Sequence, residues 1–493
     1  MDTLWILGDQ LNRSFAGFDD VAPDSHRILM VRSDTKLSGT WHRQRLHLVL
    51  TAMRRFADEL RDEGFEVDER AAPSLADGLA AHREEFEPDT VRVMEPASWD
   101  GLRLVEDLDC DVVRSNQFLC HYDDFADWAE DRKRLRHEDF YRWQRRRLGF
   151  LMDGDDPVGG EWNFDAENRD PPPDGDVPWP ARKRFDLDDV DRSVLDGLPD
   201  DAWGADPEGW WPTSRDQALQ RLEEFVGGVL PHFGPFQDAM LGDDWHLAHS
   251  LLSPALNIGL LTPDEVCDAV EEAYREGGVP IESAEGFIRQ VIGWREYVWG
   301  LYWLWMPDYR DENAFGADGP LPAAFTGADT GMACLAATME NVRDRAYGHH
   351  IERLMVLGNL ALLSGVEPKA MVDWMWRSFV DGAEWVMLPN VIGMALHADG
   401  GRMATKPYAA SGAYIDRMSD HCGDCRYDPK QRSGEDACPF TALYWDFLAR
   451  NREMLADNHR MGLQLKNLER IDDLDGARSR AAEVVDGLIE GTV

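Results

Sequence analysis

"TLWILGD" at residues 3–9 is an apolar run that ends in Gly-Asp, and it opens an alternation of two hydrophobic periods. Amphipathic segments of helical period follow such runs, for example "HRQRLHLVLTAMRRFADELRDEG" (42–64), which ends at a glycine. The other runs of strand length are "HRILMVRS" (26–33), "FEVDERA" (65–71), "TVRVMEP" (90–96) and "CDVVRS" (110–115). Strands that alternate with helices through short connections predict a parallel, doubly wound, Rossmann-like sheet over residues 1–130.

The first predicted strand ends beside polar side chains. Ligands of a doubly wound sheet bind at the carboxyl ends of its strands, and Asp9 and Gln10 lie at that end. The strand is not followed by G-x-G-x-x-G, the pattern that marks a dinucleotide site. We therefore expect a ligand there that is not a dinucleotide.

Two further segments complete the predicted organisation. Residues 131–205 begin with "RKRLRHEDFYRWQRRRLG" (132–149), in which eight Lys and Arg fall within sixteen residues and alternate with aromatic residues. That composition is typical of a phosphate-contacting helix, and also of an ordinary solvated helix face. A linker rich in Gly, Pro and Asp follows. Residues 206–493 carry helical periods with Pro near starts and Gly near ends, which predicts a large all-α domain.

The charge of the chain is strongly negative. The sequence has 93 Asp and Glu and 51 Lys and Arg, which gives a net charge of −42. The acidic residues are spread along the whole sequence. The pattern resembles that of proteins from salt-loving archaea, and at low salt it opposes binding to a phosphate backbone. The longest apolar stretch is too short to span a bilayer, and no basic region of a secretory signal precedes the first strand. We expect a cytoplasmic, reducing location, without membrane binding and with a monomeric chain.

"DHCGDCRYDPKQRSGEDACPF" (420–440) contains Cys422, Cys425 and Cys438, three of the chain's seven cysteines. A tetrahedral metal ion and a cubane cluster both take four ligands. Cys334, at a predicted helix start in the same domain, can complete the set, and His421 is an alternative fourth ligand for zinc. The Cys-Pro ending is typical of iron–sulfur proteins. Spacing alone leaves zinc and an iron–sulfur cluster open, with unligated thiols as a third reading.

Three other stretches hold candidate site residues. In "AHSLLSPALNIGLLTP" (248–263), serines near a helix start can hold a phosphate or only cap the helix. In "YGHHIERLMVLGN" (347–359), two adjacent histidines can exchange protons or be structural. The Gly/Ala-rich loop that carries Lys406, Tyr408 and Tyr414 allows the backbone to approach a flat ligand closely.

Together these motifs resemble the iron–sulfur branch of the cryptochrome/photolyase family, the bacterial cryptochromes and prokaryotic (6-4) photolyases. The resemblance covers nearly the whole chain. The blocks that carry it include "PVGGEWNFDAENR" (157–169), "HSLLSPALNIGLL" (249–261), "KPYAASGAYIDRMSDHCGDCRYD" (406–428) and "ACPFTALYWDFLARNR" (437–452), and the last two are highly specific. It implies an antenna domain at 1–130, a connecting segment at 131–205 and a helical FAD-binding domain at 206–493.

The resemblance implies three cofactors. FAD would lie in the helical domain, and a [4Fe-4S] cluster would be held by Cys334, Cys422, Cys425 and Cys438. A 6,7-dimethyl-8-ribityllumazine antenna would lie near Asp9, Gln10, Asp34 and His42. The residues expected to contact FAD are His249, Ser250, Leu252, Ser253, Arg353, Asp381, Asn390, Lys406 and Trp374.

The activity implied is blue-light repair of (6-4) pyrimidine photoproducts in UV-damaged DNA, a lyase reaction on a base flipped out of the duplex. By resemblance, His350, backed by His349, would donate a proton, and Tyr408, Tyr414 and Gln290 would line the lesion pocket. Arg145, Arg146 and Arg147 are predicted to contact DNA. The alternative is a cryptochrome-like blue-light sensor that signals to a protein, and the third possibility is a zinc-stabilised nucleic-acid-binding protein without redox chemistry.

Three positions depart from the family pattern. Met387 stands where relatives often carry Glu, Phe325 where Trp is common, and Ala383 where Tyr is common. Trp374 keeps the usual first position for photoreduction of the flavin. Because phenylalanine is much harder to oxidise than tryptophan, we expect a different surface end of the electron route, with Trp376 or Trp385 as substitutes.

Overall fold

The computed structural model describes residues 1–173 and 175–493. In the described chain, five parallel strands form the predicted sheet in the order β3-β2-β1-β4-β5. β1 is central and nearly completely buried, with Leu4 opposite Ile28 on β2 and Trp5 opposite Val93 on β4. The strands are β1 Asp2–Trp5, β2 His26–Ser33, β3 Glu66–Ala72, β4 Val91–Met94 and β5 Asp111–Val113. The predicted doubly wound sheet is therefore confirmed.

Helices alternate with these strands along the chain. They are α1 Asp34–Leu37, α2 Arg43–Asp62, α3 Leu75–Phe86, α4 Trp99–Asp107 and α5 Tyr122–Ala129. The longest, α2, buries an apolar stripe that includes Leu48, Phe56 and Leu60, as its period predicts. The chain leaves it through Gly64, whose φ of +96° suits glycine.

His42 caps α2 and ties the two parts of the molecule together. Its Nδ1 accepts a hydrogen bond from the Gln44 backbone N–H at 3.2 Å, and its Nε2 donates to the Arg343 carbonyl oxygen at 3.0 Å. The ring is fully buried. Both nitrogens are therefore engaged by the protein, and the contact of His42 with an antenna chromophore stays a prediction.

The connecting segment contains α6 His137–Leu148 and α7 Asp189–Asp196, with a short hairpin, β6 Met152–Asp153 and β7 Asp156–Pro157, between them. Arg145 on α6 is completely buried, and its guanidinium donates to the carbonyl oxygens of Phe150, Leu151 and Trp162. The prediction that Arg145 contacts DNA is therefore wrong, because its side chain holds the turn after its own helix. Arg146 and Arg147 are exposed.

The rest of the chain is helical. Its helices are α8 Arg215–Glu224, α9 Leu230–Phe236, α10 Ser253–Asn257, α11 Pro263–Arg275, α12 Ile281–Ile288, α13 Glu296–Trp305, α14 Ala333–Arg345, α15 Asn359–Ser364, α16 Pro368–Ser378, α17 Glu384–Leu388, α18 Gly412–Met418, α19 Pro439–Arg450, α20 Arg452–Ala456, α21 Gly462–Leu468 and α22 Leu474–Glu490. Segments of π-helical geometry interrupt them at Phe225–Val229, Arg289–Arg295, Glu352–Gly358 and Pro389–Ala395.

The two-domain arrangement agrees with the prediction, while the boundaries near residues 130 and 205 stay predictions. Within residues 1–173 and 175–493, no helix combines the length and the apolar character needed to cross a bilayer. Three of the four π-helical segments contribute side chains to the cavity described next. Such segments are frequent at functional sites, because the extra residue redirects side chains.

Candidate cofactor and substrate site

A cavity of about 1310 Å³ opens into the helical domain. Its volume exceeds the range of about 300–1,000 Å³ that is usual for one small ligand, so it can hold a large cofactor and part of a substrate. The predicted site residues that line it are His249, Ser250, Ser253, Gln290, His350, Arg353, Asp381, Asn390, Lys406, Tyr408 and Tyr414. Three other predicted site residues, Leu252, His349 and Trp374, are buried and do not line the cavity as the structure describes it.

A strained turn supplies the two serines. Leu247 and Leu251 have φ values of +43° and +59°, which bulky residues rarely adopt. Each such conformation costs on the order of 1–3 kcal/mol and usually marks a functional site. Asp244 stabilises the turn, because its Oδ1 accepts a hydrogen bond from the Leu247 N–H at 3.0 Å. The turn brings Ser250 to the cavity just before α10.

An ion pair crosses the cavity wall from the turn to the next helices. The two terminal nitrogens of Arg353 bind the two carboxylate oxygens of Asp381. Nη1 lies 2.9 Å from Oδ1, and Nη2 lies 3.2 Å from Oδ2. Ser253 donates to the same carboxylate at 2.7 Å. The Arg353 guanidinium also lies 4.1 Å from the centre of the Phe379 ring. Sequence positions 253, 353 and 381 thus form one rigid polar unit.

Three histidines converge at one side of the cavity. The rings of His249 and His349 stack at 4.6 Å with 16° between their planes, and the His350 ring lies 5.3 Å from that of His249. His350 is half exposed, and its Nε2 lies 3.3 Å from Asp238 Oδ1. Burial lowers the pKa of both His249 and His349 well below the usual range. Those two rings are therefore neutral near pH 7.

Glu352 fixes the backbone of His349 through a hydrogen bond. One of its carboxylate oxygens accepts the His349 backbone N–H at 3.1 Å, and the other accepts from the Asn341 amide at 3.2 Å. Burial raises the pKa of Glu352 to about 7. Tyr408 and Tyr414 line the same cavity. Burial raises the pKa of both phenols, that of Tyr414 to about 12, so both remain neutral hydrogen-bonding groups.

Basic side chains that no sequence pattern indicated line the same cavity. Arg169, Arg417 and Arg460 are exposed. They come from segments almost 300 residues apart, so neither spacing nor a local charge run could identify them. Arg417 packs over the Tyr414 ring at 5.5 Å. Arg169 pairs with Asp165, which lines the same cavity. In a chain of net charge −42, we call Arg169, Arg417 and Arg460 the positive rim.

Four cysteines meet at a second, small site. Cys334, Cys422, Cys425 and Cys438 all line one pocket beside Met332, Ile415 and Tyr427. Burial, and after it the neighbouring Cys438, Cys422 and Cys425, raises the pKa of Cys334 well above its usual range. Cys334 lies in the first turn of α14, and Cys438 is the N-cap of α19 with Pro439 at the first helical position. The structure thus brings residue 334 to the 422–438 segment.

Sequence comparison decides the family. A (6-4) photolyase of Agrobacterium fabrum is 45% identical to this chain over 473 residues, which are 92% of this chain and 93% of that protein.

The chain belongs to the photolyase family.

Other comparisons agree with this assignment. Residues 4–202 match the family model described as deoxyribodipyrimidine photo-lyase-related protein. A bacterial class III photolyase from Agrobacterium tumefaciens has a similar fold, with a TM-score of 0.59, 16% identity, and coverage of 99% of this chain and 97% of that one. A Synechocystis cryptochrome gives a TM-score of 0.53 at 12% identity, with 85% of this chain and 88% of that one covered.

Membership of the photolyase family implies FAD, and the cavity fits it. Buried polar atoms that have no hydrogen-bond partner within the described residues belong to lining residues, including His249 Nε2 and Arg295 Nη2. An unpaired buried donor costs about 1–3 kcal/mol, so these atoms call for a polar ligand. Trp294 and Met387 add flat, apolar wall to the same cavity.

The aromatic residues expected to carry electrons fall into two groups. Trp374 stacks on Phe325 at 4.5 Å and donates its indole N–H to the Phe325 carbonyl oxygen at 2.9 Å. Trp385 lines the cavity and begins a second group. Its ring lies 5.9 Å from Trp299, which lies 5.4 Å from Trp303, which lies 5.9 Å from the half-buried Trp99. We call these four tryptophans the Trp385 column.

Some of the residues expected to bind an antenna chromophore have partners within the protein. The Gln10 amide donates to the backbone of Met94 and Glu95 at 3.0 and 3.1 Å, and Asp34 is exposed on α1. Burial raises the pKa of Asp9. Both His42 nitrogens are also engaged. The antenna site at Asp9, Gln10, Asp34 and His42 stays a prediction.

Proposed function

We propose that this photolyase-family protein repairs (6-4) pyrimidine photoproducts in DNA under blue light. The observation that carries the proposal is a single cavity that joins the Arg353–Asp381 unit to a histidine pair, two tyrosines and a positive rim. The named relative, a (6-4) photolyase at 45% identity, supports the lesion class. Reduced FAD, when bound and excited, supplies the electron that such a repair consumes.

The substrate must leave the DNA duplex to reach the cavity, because a stacked base is inaccessible. Tyr408 and Tyr414 offer flat faces and phenol hydroxyls that remain protonated, which suits a flipped pyrimidine pair. Gln290, on a π-helical segment, offers amide groups to the bases. These residues bind and orient the lesion and exclude water from it.

His350 is the proposed proton donor. It is the exposed member of the pair, and Asp238, whose Oδ1 lies 3.3 Å from its Nε2, can fix the orientation of its ring. His349, neutral and buried beneath it, and Glu352 position the helix start that carries His350. A positioned general acid contributes typically about 10²–10⁴-fold to a rate.

We further propose that DNA is held by the positive rim rather than by α6 alone. Arg169, Arg417 and Arg460 line the cavity that would receive the flipped base, whereas Arg145 is buried. Arg146 and Arg147 stay candidates at the periphery. Phosphate contacts of this kind position the duplex without reading its sequence.

For the four cysteines we propose a [4Fe-4S] cluster rather than zinc. In a tetrahedral zinc site the sulfur atoms lie about 3.8 Å apart, because each Zn–S bond is about 2.3 Å. Among the described residues, no three cysteine sulfurs lie within 4.8 Å of one another, although all four line one pocket. The wider set fits a cubane cluster, which would tie α14 to the segment before α19 as a structural element.

A ribityllumazine antenna rests on the resemblance alone and is outside this proposal. A light sensor that signals to a protein is the second candidate, favoured by Phe325, Ala383 and Met387, which alter the usual photoreduction residues. The two functions differ in whether the reduced protein turns over damaged DNA.

The test is repair of a (6-4) duplex under blue light by the chemically reduced protein, which removes photoreduction as a variable. Wild type should repair, and His350→Asn should retain FAD and DNA binding while the repair rate falls about 100-fold or more. His232→Asn, which changes a histidine outside the cavity lining, is the control. Absence of repair by the reduced, flavin-loaded wild type would favour the sensor.

A further inference from the structure

A tyrosine branches from the Trp385 column at Trp303. The ring of Tyr122 stacks on that of Trp303, with 4.5 Å between the ring centres and 27° between the planes. It also lies 6.3 Å from the Trp299 ring. Tyr122 begins α5 and is half-buried, whereas Trp299 and Trp303 are buried on α13. The branch therefore connects the buried tryptophans to a phenol that solvent can reach.

A carboxylate accepts the hydrogen bond of this phenol. The Tyr122 hydroxyl donates to Glu95 Oε1 at 2.6 Å, a length typical of a charge-assisted O–H···O⁻ bond. Glu95 Oε2 accepts from His121 Nε2 at 2.7 Å and from the Ser115 backbone N–H at 2.8 Å. Burial opposes ionisation of Glu95, but these hydrogen bonds outweigh it and lower the pKa of the carboxyl. Glu95 is therefore ionised near pH 7 and stands as a base within reach of the phenol proton.

The tryptophans of the column have no comparable acceptor. Among the residues that the structure describes, the indole N–H groups of Trp299 and Trp303 have no hydrogen-bond partner. Trp99, the other neighbour of Trp303, has the Arg103 guanidinium 4.8 Å from its ring centre, and this charge opposes a second positive charge on the ring. Oxidation is therefore most favourable at Tyr122, because an oxidised phenol is a strong acid and a base stands beside it.

We propose that Tyr122 is the terminal electron donor in photoreduction of the flavin, and that Glu95 accepts its proton. Trp385 loses one electron to a photoexcited, oxidised flavin and regains one from Trp303 through Trp299. Trp303 then takes one electron from Tyr122, while the phenol O–H bond breaks and the proton binds Glu95 Oε1. The products are a flavin reduced by one electron, a neutral tyrosyl radical and a protonated carboxyl group. A thiolate in solution then returns one electron to Tyr122, and Glu95 returns the proton.

Tyr302 provides a matched comparison within the same column. Its ring lies 5.5 Å from that of Trp303, and its hydroxyl also points to a carboxylate, that of Glu384. This O–H···O distance is 3.2 Å, which is longer than the usual range of about 2.5–3.0 Å. Tyr302 is fully buried, so a thiolate in solution cannot reach it. We therefore assign the terminal step to Tyr122 and not to Tyr302.

The experiment uses the flavin- and cluster-loaded protein without DNA, so it rests on flavin binding and is independent of the proposed repair function. After a blue-light flash, transient absorption and EPR of the wild type should show a neutral tyrosyl radical, and ring-deuterated tyrosine should narrow its EPR lines. Tyr122→Phe, which keeps the stacked ring, should lose this radical and show a tryptophan radical in its place. Tyr302→Phe should keep the tyrosyl radical.

Glu95→Gln keeps Tyr122 and removes only the charged base, so it tests the proton step even if Tyr122→Phe does not fold. In this variant the tryptophan radical should persist and the tyrosyl radical should form more slowly than in wild type. A tyrosyl radical that survives in Tyr122→Phe, or one that forms equally fast in Glu95→Gln, would overturn the proposal. So would a wild type that yields a tryptophan radical alone.

Discussion

At the residue scale, Gly412 packs closely against one ligand of the cysteine site, Cys438. A Cβ at this position would lie 2.8 Å from Cys438 Sγ and 3.0 Å from Thr441 Oγ1. We expect Gly412→Ala to displace Cys438, to lower the iron content of the purified protein and to cost about 1–3 kcal/mol of stability through overpacking. Gly423→Ala is the matched control, because Gly423 lies between Cys422 and Cys425 and its added Cβ would meet nothing within 4 Å. Equal iron content in the two variants would contradict the expectation.

Arg145 and Arg146 are neighbours with opposite roles. Arg145→Met should lower the free energy of unfolding by about 3 kcal/mol or more, because three backbone carbonyls lose a charged donor. Arg146→Met, at an exposed position, should change it by no more than about 0.5 kcal/mol. Urea unfolding of the two variants measures the difference, and a small effect of Arg145→Met would show that the guanidinium is not a structural anchor.

At the element scale, the cap of α2 makes stability depend on pH. Burial lowers the pKa of His42 to about 4, from an unfolded value near 6.5. Between these values the unfolded chain binds the extra proton, so the stability that neutral His42 contributes is present above pH 6.5 and is lost as pH falls to 4. The loss is about 3 kcal/mol. His42→Asn, which keeps a good N-cap, should show a smaller decline over that window in urea titrations. Parallel pH profiles would exclude His42 as the source.

The Trp385 column predicts the electron route of photoreduction. Trp374 leads to Phe325, which is hard to oxidise, whereas Trp385 leads through Trp299 and Trp303 toward the half-buried Trp99. With a thiol as the final electron donor in solution, Trp303→Phe should abolish most of the light-driven bleaching of the oxidised flavin. Repair by chemically reduced protein should be unchanged. Bleaching that depends on Trp376 and not on Trp303 would assign the route to the other side of the domain.

At the scale of the whole molecule, the net charge of −42 sets the salt dependence of folding. Self-repulsion destabilises the compact state, and the Debye length falls from about 10 Å at 0.1 M salt to about 3 Å at 1 M. We expect the urea midpoint to rise steadily over this range of KCl, with the slope of the transition unchanged. A midpoint that does not respond to KCl would mean that local ion pairs already compensate the acidic surface.

The sequence by itself determined the sheet, the all-α domain and the identity of the four cysteine ligands proposed for the cluster. The sheet and the all-α domain follow from local periodicity in consecutive residues. The cysteine set follows from ligand chemistry and from long motif blocks, although Cys334 lies 88 residues before Cys422. Only the tertiary structure decided that Arg145 and His42 face inward, that Arg169, Arg417 and Arg460 share a rim, and that His249 stacks on His349. Such relations join residues about 100 or more positions apart or depend on which face a neighbour covers, and packing fixes them without leaving a local pattern.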